Sequence, residues 1–113
     1  MMTFTITLGT TPINLFLLLT GTAYTSASVT GSRRMGTPCG RLVRELIIMA
    51  DDANTGTVYG SGLSTVSSSD YGYRMGASVE HRMIGNGDAM SVPLDQWLVA
   101  SASGQKIHVK FNY

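Results

Sequence analysis

The segment Asp51-Asp52-Ala53-Asn54-Thr55-Gly56 concentrates oxygen ligands more than any other part of the chain. Carboxylates and an amide in that spacing are how a calcium loop begins, with hard oxygen donors gathered around a hard cation. Such a loop closes with a bidentate Glu, and counted from Asp52 that position is Leu63. The segment is therefore expected to be a tight turn, its Asp and Asn side chains satisfying local backbone N–H groups.

The other reactive side chains are scattered. His81 and His108 lie far apart without a His-x-x-x-His spacing, and a shared zinc site would need further ligands from Asp or Glu. His108 falls on the polar face of its strand, where solvation is the default; His81 could face either way. Cys39 is the sole cysteine, which rules out an intrachain disulfide and a multi-cysteine metal site. With no neighbouring His it is read as a small buried hydrophobe. No Gly-x-Ser-x-Gly elbow occurs, Gly60-Ser61-Gly62 lacks the Lys of a phosphate loop, and Glu45 and Glu80 are isolated. No catalytic residue, cofactor site or metal site is assigned, and the chain is expected not to be an enzyme. Tyr59, Tyr71 and Tyr73, with Arg74 adjacent, could form a carbohydrate or protein contact surface, since tyrosine joins apolar area to a polar tip. The alternative places Tyr59 in a strand, with Tyr71 and Tyr73 covering the core edge.

The elements that would hold these residues are β-strands. Thr3–Leu8 alternates, with Phe4, Ile6 and Leu8 on one face and threonines on the other. Gly9-Thr10-Thr11-Pro12 turns the chain, and Ile13–Leu19 is read as a strand apolar on both faces. Residues 20–38 are rich in Thr, Ser, Ala and Gly and are read as a long loop or arm; loops of that length are often functional or ordered by a partner. In Arg41–Ala50, Leu42, Val43, Leu46, Ile47 and Ala50 also fit helical spacing, but the surrounding β pattern favours a strand. Further strands are expected at Thr57–Tyr59, Leu63–Ser67, Val79–Ile84 and Ala89–Leu94. Gly85-Asn86-Gly87-Asp88 carries a hairpin signal, and Pro93 suggests a sheet edge. Trp97–Ala102 and Lys106–Phe111 are read as a hairpin joined by Ser103-Gly104-Gln105. In the last strand Ile107, Val109 and Phe111 face inward. The sum is one all-β domain, a β-sandwich or jelly roll of about seven or eight short antiparallel strands with an extended arm at 20–38.

Composition sets the remaining bounds. The 113 residues are 43% hydrophobic and only 13% charged, about half the usual charged share. A net charge of +1, with Arg33-Arg34 the only adjacent basic pair, gives no field for nucleic acid or membrane. Ile13–Leu19 with the small residues after it imitates a signal peptide, yet no Lys or Arg precedes Arg33. The run is also far short of the ~20 residues that cross a bilayer. Synthesis in a cytoplasm is expected.

Cys39, Arg41, Leu42-Val43, Ile47-Ile48, Ala50-Asp51, Asn54-Thr55-Gly56, Val58-Tyr59 and Val66-Ser67 follow one another in a characteristic order. So do Val92-Pro93-Leu94-Asp95 and Gly104-Gln105-Lys106-Ile107-His108-Val109. Together with Thr11-Pro12-Ile13 they resemble a family of small β-sandwich virion structural proteins of tailed bacteriophages. The resemblance implies a strand at 41–50 and a non-enzymatic place in the particle, most simply as a head-associated decoration or cement subunit. A tail, neck or fibre-attachment protein is the alternative, and a carbohydrate-binding module using Tyr59, Tyr71, Tyr73 and Trp97 is a third reading from another class. Implied partners are the major capsid protein or neck and tail proteins, and further copies of the chain. The expected contact residues are Ile13, Leu15, Phe16, Leu17, Leu18, Tyr71 and Tyr73.

Overall fold

The computed structural model describes residues 2–19, 28–31, 42–86 and 91–112, and the chain within them is all-β. Eleven strands and one short helix are described: β1 Met2–Leu8, β2 Ile13–Asn14, α1 Leu15–Leu19, β3 Ser28–Gly31, β4 Leu42–Val43, β5 Glu45–Ala50, β6 Val58–Ser61, β7 Tyr73–Met75, β8 Glu80–Ile84, β9 Val92–Pro93, β10 Trp97–Ala100 and β11 Gln105–Asn112. Eight of these strands span three residues or more. The first sheet has the order β3-β1-β11-β5-β8 and the second β2-β10-β6-β7; β4 and β9 form a small separate pair. All pairings are antiparallel.

Alternation explains the layers. Phe4, Ile6 and Leu8 of β1 are buried, as are Ile107, Val109 and Phe111 of β11 and Leu46, Ile48 and Ala50 of β5. From the second sheet Ile13, Val58, Met75, Leu98 and Ala100 enter the same core cluster. Two sheets with one apolar face each can hide it only against one another, and the product is a sandwich. Phe4 and Phe111 stack inside it, ring centroids 6.0 Å apart. Over its described part, 42–50, the ambiguous segment is strand, as expected, split into β4 and β5 at Arg44.

Five expectations are corrected. Ile13–Leu19 is not one strand: after β2 it turns into α1. The Asn14 Oδ1 accepts the Leu17 N–H at 3.1 Å, the bond of a helix N-cap, and the leucines that follow are good helix formers. Within the supposed arm, Ser28–Gly31 is strand β3, paired with β1 through Thr7↔Ser28 to Phe4↔Gly31; the rest of 20–38, and Cys39, lie outside the described residues. Leu63–Ser67 makes turns rather than a strand. Ser61 Oγ accepts the Leu63 N–H and Ser67 Oγ the Ser69 N–H, so side chains here take the role of a ladder.

The last two corrections concern connectivity. β10 and β11 do not form a hairpin, because β10 pairs with β2 and β6 while β11 pairs with β1 and β5. Each strand has one apolar face, and the chain crosses between layers so that both faces reach the core. Gly104 makes this possible with a φ of 92°. The β1-to-β2 crossing runs beside it: Gly104 N–H donates to Leu8 O at 2.9 Å and Ala100 N–H to Gly9 O at 3.0 Å. Likewise β8 and β9 join different partners, so the described strands flanking Gly85–Asp88 are not a hairpin pair; Gly87 and Asp88 lie outside the described residues.

Candidate functional site

The turn at 51–56 is fastened to the start of β11. Asn54 uses its side-chain amide as a substitute peptide: Nδ2 donates to Lys106 O at 2.8 Å and Oδ1 accepts the Lys106 N–H at 2.8 Å. Gly56 N–H donates to Gln105 Oε1 at 2.8 Å, and Thr57 N–H donates to Ser101 Oγ at 2.9 Å. Asp51 behaves partly as expected, accepting the Ala53 N–H on Oδ2 at 3.1 Å. Its other oxygen meets His108 Nε2 at 2.8 Å. Both carboxylate oxygens thus have hydrogen-bond partners, and among the described residues no group of three His, Cys, Asp or Glu is placed to hold a metal ion.

His108 is accordingly not a merely solvated histidine. Opposite Met49 in the ladder, it stands diagonally from Asp51 on the outer face of the first sheet. The Thr5 hydroxyl, opposite it on β1, lies 3.1 Å from Nδ1. The row is consistent with a proton on Nε2 toward Asp51 and the Thr5 hydroxyl donating to Nδ1. Hydrogen bonds from His108 first, and from Ala53 N–H second, hold the Asp51 carboxyl below its ordinary value. A hydroxyl, imidazole and carboxylate in line have the components of an acyl-transfer triad. Here, however, the three are cross-strand neighbours on a sheet face, bonds that fix register.

His81 faces inward from β8 and stacks on Tyr73, ring centroids 3.9 Å apart and planes within 4°. Tyr73 lies over Gly60 and donates its hydroxyl to Gln96 Oε1 at 3.2 Å. Gln96, itself buried, donates Nε2 to Pro93 O at 3.1 Å. Burial raises the Tyr73 phenol and lowers the His81 imidazole from their ordinary values. Tyr73 and His81 therefore bridge the two sheets.

The expected contact residues separate in the fold. Ile13, Leu15 and Leu18 are buried in the chain's own core, and Phe16 and Tyr73 pack against it. They are core because α1 folds its leucines inward. Leu17 is half-buried, while Tyr71 is well exposed at 40%.

A second locus lies on the outer face of the second sheet. Val99 and Tyr59 are register partners there, with Trp97 two residues from Val99 on the same face. The loop 62–70 folds back over them, held by Ser67 N–H to Asp70 O at 2.8 Å, Asp70 N–H to Ser67 O at 3.2 Å and Gly72 N–H to Gly60 O at 2.9 Å. A cleft of ≈ 370 Å³ results. Pro12, Tyr59, Val66 and Val99 supply its apolar wall, and Thr10, Ser67, Ser68 and Ser101 its hydroxyls. Tyr71 packs against Tyr59 at 5.1 Å between ring centroids. Val66 and Val99 escaped the sequence reading as site residues. Strand parity could have paired Tyr59 with the outer face, but Val66 reaches it only through the loop. Among the described residues no helix is long and apolar enough to cross a membrane. Comparison with protein-family models, curated proteins and solved structures finds no match for the chain.

Proposed function

We propose that the chain is a non-enzymatic structural subunit of a bacteriophage virion, a head-associated decoration or cement protein made in the host cytoplasm. The reading rests on the ordered motifs across residues 39–67 and 90–110. One structural observation carries it furthest. β8 is one of the two edge strands of its sheet as described, and it presents Ile84 to solvent at 64% exposure. Leu42, three residues before the register partner of Ile84, is also exposed. Apolar side chains at a sheet border gain free energy when a neighbour covers them. On the same strand the Glu80–Arg82 ion pair blunts simple strand addition. Contact is thus by side-chain packing, with the major capsid protein or another copy of the chain, and symmetric repetition multiplies modest contacts.

The test is mass spectrometry and electron cryomicroscopy of particles assembled with the wild-type chain or with Ile84→Asp. The wild type should be incorporated, and the folded variant should lose occupancy about tenfold or more. A folded wild-type chain missing from particles, or a variant incorporated as well as wild type, would overturn this assignment. Copy number distinguishes positions: one comparable to the shell protein means decoration, whereas a single ring of copies means a neck or tail location.

A further inference from the structure

Val66 and Val99 are buried, yet neither belongs to the cluster that fills the sandwich. Their burial is local to the cleft on the outer face of the second sheet, where side chains of a two-layer fold ordinarily meet water. The lining divides into an apolar wall, containing the ring of Tyr59, and four hydroxyl side chains; none of its residues carries a charge. The volume, ≈ 370 Å³, lies near the lower end of the range of about 300–1,000 Å³ found for small-molecule sites. Its loop wall is pinned by backbone bonds between Ser67 and Asp70 and by the Thr65 hydroxyl donating to Asp70 Oδ2 at 3.2 Å. A preformed wall reduces the ordering cost of binding.

We infer that this cleft is a binding site for a neutral saccharide. A sugar ring has an apolar C–H face and a hydroxyl rim. The cleft offers the complement of both: an aromatic ring backed by Val66 and Val99, and hydroxyls that can donate or accept. An uncharged lining provides no partner for a carboxylate, sulfate or ammonium, which would lose hydration without compensation. Tyr71 braces the Tyr59 ring from outside the cleft lining. Trp97, half-buried on the same face, continues the aromatic surface along β10 and gives a second ring of an oligosaccharide a place to rest. Tyr73, by contrast, takes no part, because its ring is enclosed between the sheets. This inference is independent of the assembly reading, since the cleft lies on the second sheet and Ile84 on the first.

The experiment is an NMR titration of the isotope-labelled chain with glucose, galactose, N-acetylglucosamine and their neutral disaccharides, with glucuronic acid as the charged control. Saturable amide shifts should appear at Tyr59, Ser67, Val99 and Ser101 at concentrations on the order of 10 mM, and a disaccharide should bind more tightly than its monomer. Tyr59→Ala should weaken binding about tenfold. Ser68→Trp alters an exposed turn position and should block the cleft with the fold intact, so the result does not depend on Tyr59→Ala remaining folded. No saturable shift with any neutral sugar, shifts mapping elsewhere, equal binding of glucuronic acid, or undiminished binding by folded Ser68→Trp would each overturn the assignment.

Discussion

The ring of Tyr73 lies against the backbone of Gly60, so closely that a Cβ on Gly60 would fall 2.2 Å from the ring carbon Cε2. The two residues are register partners on β7 and β6, and the missing side chain is what lets the ring lie flat over the strand. From there the ring reaches His81 of the other sheet and donates to Gln96. Gly60→Ala must displace the ring and weaken both contacts. The expected loss is about 2–3 kcal/mol of stability, measured by urea unfolding, since overpacking a filled interior costs about 1–3 kcal/mol. An unfolding midpoint equal to that of wild type would mean that the ring moves aside freely.

Asn54 joins the turn to β11 by two bonds to the Lys106 backbone. Asn54→Ala removes both and leaves Lys106 to find water on that side. A loss of about 1–3 kcal/mol is expected, with faster hydrogen exchange at the Lys106 amide than at Val109. Unchanged exchange at Lys106 would contradict the pairing.

Acid sensitivity follows from Asp51. Its folded-state value is depressed below the ordinary 3.8 by His108 and the Ala53 N–H. A depressed carboxyl contributes stability that is fully present above its unfolded value and disappears as pH falls through its folded value. Wild type should therefore exceed Asp51→Asn in stability at neutral pH, and the gap should narrow below about pH 4. Urea midpoints taken at a series of pH values check this; a gap constant across that range would exclude the carboxylate charge as its source.

Ser78 holds a φ of 65° in the turn between β7 and β8, where its N–H donates to Ala50 O at 3.1 Å. That region costs an L-residue about 1–2 kcal/mol, and glycine avoids the cost while losing about 0.5–1 kcal/mol in backbone entropy. Ser78→Gly should consequently raise stability by about 0.5 kcal/mol, seen as a Tm increase of about 2–4 °C. A lower Tm would show that the serine conformation is not a strained one.

Strands whose side chains alternate were legible in advance. β1 and β11 expose threonines and lysines on one face and bury aliphatics on the other, and that period needs no knowledge of neighbours. The short apolar run Ile13–Leu19 has no decisive period, and Asn14 becomes a cap only once Leu17 folds back on it. The connector at 101–104 is short enough for a hairpin, and nothing local says that its two strands serve opposite layers. The Asp51–His108 contact depends on register between β5 and β11, and the cleft on a loop laid over Tyr59 and Val99. Both are long-range arrangements, invisible to spacing along the chain. The separation of Tyr71 from Tyr73 is likewise decided by which side of β7 the second one enters.

The place of β11 between β1 and β5 also bears on how the protein comes into being. β1 has a register of seven pairs with β11, from Met2↔Phe111 to Leu8↔Gln105. While the ribosome is still making the preceding segments, β1 and β5 have no common neighbour, and the larger sheet exists only as two unjoined halves. Closure waits for β11 to emerge, so the loop-entropy penalty of the longest separation comes before its reward. Nascent chains stalled before β11 should expose oily strand faces to chaperones, and emergence of β11 should trigger closure of the sheet.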